Sequence, residues 1–139
     1  MTTKITVNTT VIASIENVWK AWTTPNDILQ WNHASDDWHT TKVENNLEAG
    51  GTFSFRMEAK DGSFGFDFNG IYDCIKINEL IEYTMADGRT SIITFSTHDN
   101  EVFISQTFDA ETQNTIELQQ FGWQSIMNNF KKYIDNENN

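Results

Sequence analysis

Residues 53–72 read FSFRMEAKDGSFGFDFNGIY. Before the Lys-Asp-Gly-Ser sequence in this stretch, Phe53 and Phe55 alternate with polar residues. After it, Phe66 and Phe68 alternate with small or polar residues. A period of two on both sides of a glycine-containing turn is typical of a β-hairpin with one buried face. The stretch therefore predicts two antiparallel strands whose aromatic side chains share a face.

The same period of two recurs outward from this hairpin in both directions. The predicted strands cover residues 4–12, 41–45, 53–58, 64–78, 80–85, 90–97 and 102–109. Tight turns such as Asp87-Gly88 and Asp99-Asn100 separate the later ones. Short strands at this spacing, joined by tight turns, indicate an antiparallel sheet.

Three segments have the periodicity of helices instead. Ser14 is a suitable N-cap for a short helix with an apolar stripe, and Thr24 before Pro25 is a suitable cap for a second. The longest helix is predicted over about residues 112–135. Its apolar face comprises Ile116, Trp123, Ile126, Met127, Phe130, Tyr133 and Ile134.

This element order predicts an α+β fold. A long amphipathic helix and an antiparallel sheet each have one apolar face to bury, and the simplest solution packs the helix across the concave side of the sheet. We expect a curved sheet of about six to seven strands wrapped on the C-terminal helix, with two short helices after strand 1. At 139 residues the chain is predicted to be a single domain, 1–139, ordered over about residues 4–135.

Composition excludes several classes of function. The chain has 9 basic and 20 acidic residues, a net charge of −11. This balance disfavours binding to nucleic acid or to an anionic membrane surface. The single cysteine, Cys74, excludes an internal disulfide. We find neither a signal peptide nor a membrane span, and the sequence indicates a cytoplasmic protein.

One polar loop contains residue types that bind metals. His33, Asp36, Asp37 and His39 lie close together in the segment 32–40. Their spacing matches no established metal motif, so we interpret the segment as a solvated loop and predict neither a metal nor a cofactor.

Candidates for catalysis are few. His98 lies in a turn, and Cys74 lies in a strand, where a small buried hydrophobe is the simpler interpretation. A cyclase- or hydrolase-type enzyme would need an ionisable group inside a pocket, for which Asp67, Asp73 and Glu82 are the candidates. Alternation favours outward positions for them, so the sequence leans away from an enzyme and no catalytic residue is predicted.

Arg56 lies in mid-strand on the parity opposite Phe53 and Phe55. On an inner face it could bind a ligand carboxylate; on the outer face it would pair with a neighbouring acid. We favour the outer position, because the aromatic parity is the better candidate for the inner face.

The aromatic residues themselves allow two interpretations. They can form a dense core with no ligand, or they can line an apolar pocket with tyrosine hydroxyls as polar groups. Trp31 and Trp38 flank the polar loop and could gate such a pocket, although Trp31 could equally fill the core.

Four stretches of the chain stand out: VWKAWTTP at 18–25 with Leu29 and Trp31, GGTFSF at 50–55, GIYD at 70–73 leading to Leu80 and 82–84, and Gly122-Trp123. The order of the predicted elements and the spacing of these stretches resemble the activator-of-heat-shock-protein-ATPase-like family of the START-like helix-grip superfamily (SRPBCC, polyketide-cyclase-like). The resemblance spans residues 5–133.

This resemblance implies a deep cavity for a small hydrophobic ligand or, alternatively, a stress- or chaperone-associated module that binds a protein partner, as a monomer or homodimer. It brings no shared catalytic constellation. The candidate cavity residues are Trp31, Trp38, Phe53, Phe55, Met57, Phe66, Phe68, Tyr72, Tyr83, Met85, Trp123, Met127 and Phe130.

Overall fold

Seven strands form one antiparallel sheet in the computed structural model, which describes residues 3–137. The strands are β1 (Lys4–Ile12), β2 (Trp38–Asn45), β3 (Thr52–Ala59), β4 (Gly65–Lys76), β5 (Leu80–Met85), β6 (Thr90–His98) and β7 (Glu101–Asp109). Their order in the sheet is β1-β7-β6-β5-β4-β3-β2. β2 to β7 follow one another as a meander, and β1 joins beside β7.

Three helices complete the fold of the described residues: α1 (Ile15–Thr23), α2 (Pro25–Trp31) and α3 (Ile116–Glu137). The side chain of Ser14 caps α1, because its Oγ accepts a hydrogen bond from the Asn17 amide at 3.2 Å. Thr24 occupies the cap position of α2 but makes no side-chain cap hydrogen bond, contrary to the expectation from the sequence. Pro25 in the first turn fits this position, since the first amides of a helix have no partner within it.

Two boundaries differ from the sequence expectation by three residues or more. β2 begins at Trp38 rather than residue 41, because residues 38–40 pair with residues 57–59 at the end of β3. α3 begins at Ile116 rather than residue 112. The chain turns first, and Thr115 then caps the helix by accepting a hydrogen bond from the Leu118 amide at 3.1 Å.

α3 lies across the concave face of the sheet. It packs mainly against β1, and its Trp123 stacks on Phe108 of β7 with ring centroids 3.8 Å apart. The same indole meets Phe68 of β4 edge-on at 5.9 Å. One side chain of the helix therefore contacts two strands that are far apart in the sheet, which requires the sheet to curl around it. The predicted α+β fold class is confirmed.

Alternation decides which side chains face α3. Ile5 and Val7 of β1, and Ile104 and Phe108 of β7, are buried on the concave face. Arg56 lies on the outer face, where it pairs with Glu58 at 3.0 Å and with its cross-strand neighbour Asp67 at 3.6 Å.

Candidate functional site

A cavity of about 270 Å³ lies between the concave face of the sheet and the three helices. Its wall is mostly aromatic or aliphatic. The lining residues are Trp22, Thr23, Trp31, Asn32, Phe53, Phe55, Met57, Phe66, Phe68, Tyr72, Ile81, Tyr83, Arg89, Ile93, Gln106, Trp123, Ile126 and Met127.

The strand side of the wall is a continuous aromatic cluster centred on Phe53. Its ring lies 5.3 Å from Phe55, 5.8 Å from Phe68, 5.0 Å from Tyr72 and 4.9 Å from Tyr83. β3, β4 and β5 are neighbours in the sheet, so the period-two pattern of each strand places these rings on one surface. Gly70 of β4 leaves space for the Phe53 ring, since a Cβ atom there would lie 2.9 Å from its Cζ.

The helix side of the wall is equally aromatic. Trp22 of α1 and Trp31 of α2 lie 4.9 Å apart, and both contact Phe130 of α3. The indole N–H of Trp31 donates to the Ala21 carbonyl at 2.9 Å, so this buried donor is satisfied and the ring is fixed in place.

One polar group at the wall is Tyr72. Its hydroxyl donates to Asn45 Oδ1 at 2.5 Å, and Asn45 Nδ2 donates in turn to the Thr23 carbonyl at 2.8 Å. Burial raises the pKa of Tyr72 well above its ordinary value, and the nearby Tyr83 adds to this effect. Tyr72 is therefore a neutral hydrogen-bonding group throughout the physiological pH range.

A second polar group joins three neighbouring strands. Gln106 Nε2 of β7 donates to the Tyr83 hydroxyl of β5 at 3.2 Å and to Ser91 Oγ of β6 at 3.0 Å. Burial raises the pKa of Tyr83 to about 12, against the opposing effects of Ser91, Gln106 and the positive charge of Arg89. This cluster of Tyr83, Ser91 and Gln106, here called the polar trio, is uncharged.

Ten of the thirteen side chains predicted from the sequence line this cavity: Trp31, Phe53, Phe55, Met57, Phe66, Phe68, Tyr72, Tyr83, Trp123 and Met127. The other three lie elsewhere. Phe130 is fully buried between the two indoles, Met85 is buried in the core, and Trp38 contacts Phe66 at 6.0 Å near the start of β2. Their role in binding a ligand stays a prediction.

Sequence reasoning missed most of the polar lining. Arg89, which follows the Asp87-Gly88 turn, was not among the predicted cavity residues, although residues 89, 91, 93 and 95 share one parity and the last three are buried. Gln106 has the same parity as Ile104 and Phe108 on β7 and therefore lies on the apolar face of that strand. A polar residue on an apolar face is a signal that this position faces a cavity.

The loop with potential metal ligands, residues 32–40, lies within the described part of the chain. Among residues 3–137 there is no group of three or more histidine, cysteine or acidic side chains able to hold an ion. Asp37 instead accepts a hydrogen bond from Ser35. Burial lowers the pKa of His33, and the charge of Lys60 lowers it further.

The carboxylates considered for catalysis also lie outside the cavity lining. Asp67 and Asp73 are exposed on β4, and Asp73 accepts a hydrogen bond from Thr84 at 2.6 Å. Glu82 is half-buried, and His98 is exposed in its turn. None of these side chains reaches the apolar cavity.

The family of the chain follows from comparison with known proteins. The sequence profile of the family described as Activator of Hsp90 ATPase homolog 1-like protein matches residues 12–135. The chain therefore belongs to this family. No curated protein matches the chain.

Solved structures agree with this assignment. The AHSA1-like protein from Aeromonas hydrophila is 41% identical, with a TM-score of 0.92 over 98% of this chain and 94% of that one. A protein from Cytophaga hutchinsonii is 51% identical, with a TM-score of 0.84 over 96% and 93%. A protein from Chromobacterium violaceum shares the fold at 18% identity, with a TM-score of 0.85 over 96% and 98%.

Across residues 3–137, no helix combines the length and the apolar character needed to cross a bilayer.

Proposed function

We propose that this chain binds a small, largely apolar molecule in the cavity between the sheet and α3. The observation that carries the proposal is the make-up of the wall: aromatic and aliphatic side chains, with a few hydrogen-bonding groups. Apolar walls with a few polar groups are typical of small-molecule sites, whose volumes run from about 300 to 1,000 Å³. The cavity volume of about 270 Å³ is close to the lower end of that range and suits a ligand of modest size.

Octanol is a suitable neutral probe for this proposal. Each buried CH₂ contributes about 0.8 kcal/mol, so its alkyl chain offers about 6 kcal/mol before the cost of immobilising it. That gain is consistent with a Kd of about 0.1–1 mM.

The test is a titration of the protein with octanol, followed by tryptophan emission. Trp22, Trp31 and Trp123 line the cavity and report directly on its occupation. We expect a saturable change in emission, and no such change with ethanol at the same concentrations, because ethanol has too little apolar surface. A strictly linear response up to the solubility limit of octanol would contradict the proposal.

A second candidate function is binding to a protein partner. Leu118 and Phe121 favour it, because they lie one turn apart on the outer face of α3 with 58% and 72% of their surface exposed. The family description names activation of the Hsp90 ATPase. If this candidate is correct, the protein changes the ATPase rate of a bacterial Hsp90-type chaperone, and Phe121→Ser abolishes the change. An unaltered rate at equimolar protein would rule out a chaperone of this type as the partner whose ATPase it regulates.

A further inference from the structure

The cavity has, among its described lining residues, one with a full charge, Arg89. Its described lining contains no lysine, histidine, aspartate or glutamate. This distribution runs against the composition of the chain, in which 20 acidic residues outnumber 9 basic ones. One edge of this cation is ion-paired with Asp87 at 2.7 Å, so the question is what its remaining donors bind.

Arg89 retains unused donors. Its Nε donates to Asp87 Oδ2 at 2.7 Å, and its Nη1 donates to the Asp109 carbonyl at 3.2 Å. A guanidinium has five N–H groups, and the others have no acceptor among residues 3–137. The side chain is 24% exposed, and these contacts hold it in place at the edge of the cavity.

The polar trio supplies a further donor. Arg89, Ser91 and Ile93 share a parity, so the guanidinium and the trio lie on the same concave face. Gln106 donates to both hydroxyl oxygens of the trio, and Tyr83, which lines the cavity, has a hydroxyl group that can donate to an acceptor there. The positive charge of Arg89 also lowers the pKa of Tyr83, so the two groups interact electrostatically.

We infer that the natural ligand is an amphipathic monoanion, with its carboxylate bound by Arg89 and the polar trio and its apolar body lying against the aromatic wall. The inference rests on the proposed function and names the chemical class of the ligand. A carboxylate loses its hydration on entering an apolar cavity, and charge-assisted hydrogen bonds from a guanidinium offset that loss.

A second space beside Arg89 does not suit an anion. There the guanidinium borders an open surface groove that also contains Asp87 and Glu111. These carboxylates repel an anion from the groove, whereas the described residues of the cavity lining include no carboxylate. The charges around Arg89 therefore favour an anion bound from the cavity side.

The test compares octanoate with octanol, which differ only at the polar end. By isothermal titration calorimetry we expect the wild-type protein to bind octanoate at least tenfold more tightly than octanol. Arg89→Gln should remove this preference, so that octanoate and octanol bind with similar Kd values. Arg89→Lys keeps the positive charge but loses the planar set of guanidinium donors, so it should retain part of the preference for octanoate. Arg56→Gln is the matched control, because Arg56 pairs with Glu58 and Asp67 on the outer face.

Each outcome separates the inference from the proposed function. Equal affinities for octanoate and octanol in the wild-type protein would overturn the inference and leave the proposed function standing. If Arg89 has only a structural role, Arg89→Gln will be less stable, but the ratio of the octanoate and octanol affinities will not change. That result would also overturn the inference. Absence of saturable binding of either probe would contradict the proposed function and the inference with it. The wild-type comparison decides the matter even if Arg89→Gln fails to fold.

Discussion

Replacing Phe130 with alanine is expected to lower the free energy of unfolding by about 3–5 kcal/mol. The ring is fully buried in α3 and lies 4.8 Å from Trp22 and 4.9 Å from Trp31. It joins all three helices, and the two indoles cannot collapse into the space it leaves without giving up their own contacts. Urea unfolding followed by circular dichroism measures the change.

The matched control for Phe130→Ala is Phe121→Ala on the same helix. Phe121 is 72% exposed, so its loss should change the free energy of unfolding by no more than about 0.5 kcal/mol. Similar effects for the two variants would mean that α3 does not pack on α1 and α2 as described.

Replacing Ile126 with tryptophan is expected to weaken the binding of octanol at least tenfold. Ile126 lines the cavity from α3 and is only half-buried, so a larger ring can enter the empty space without forcing the backbone apart. Overpacking of a dense core costs about 1–3 kcal/mol, but here the added volume replaces a void, and the stability should fall by less than about 1 kcal/mol. Calorimetric titration gives the affinity and urea unfolding gives the stability.

The control for Ile126→Trp is Phe121→Trp, which places the same residue on the outer face of α3. This variant should bind octanol like the wild-type protein. A folded Ile126→Trp variant with unchanged affinity would place the binding site outside the cavity.

Much of the fold is predictable from the sequence, because the deciding signals are local. Alternation around Phe53 and Phe68 specifies which faces of β3 and β4 are buried, and Ser14 marks the start of α1. The start of α3 was misplaced because Thr115, rather than an earlier residue, caps the helix. That choice depends on how the preceding turn folds, which helical periodicity does not report.

The candidate site is predictable only in part. Alternation identified Phe53 and Phe68 as inward-facing residues, but it cannot say whether such rings fill a core or enclose a space. That outcome depends on the distance between α3 and the sheet. Arg89 was missed because the strand pattern was not extended back into the turn that precedes Ser91. Phe130 was also predicted to line the cavity, but in the structure Trp22 and Trp31 enclose its ring. The position of a residue on a helix does not by itself reveal such an enclosure.

The most direct test of the cavity as a binding site is an isotope-filtered NOE measurement on labelled protein with unlabelled octanol. The account predicts NOEs from the octanol chain to Met57, Phe68 and Trp123, which line the cavity from β3, β4 and α3. NOEs confined to Leu118 and Phe121 on the outer face of α3 would contradict it.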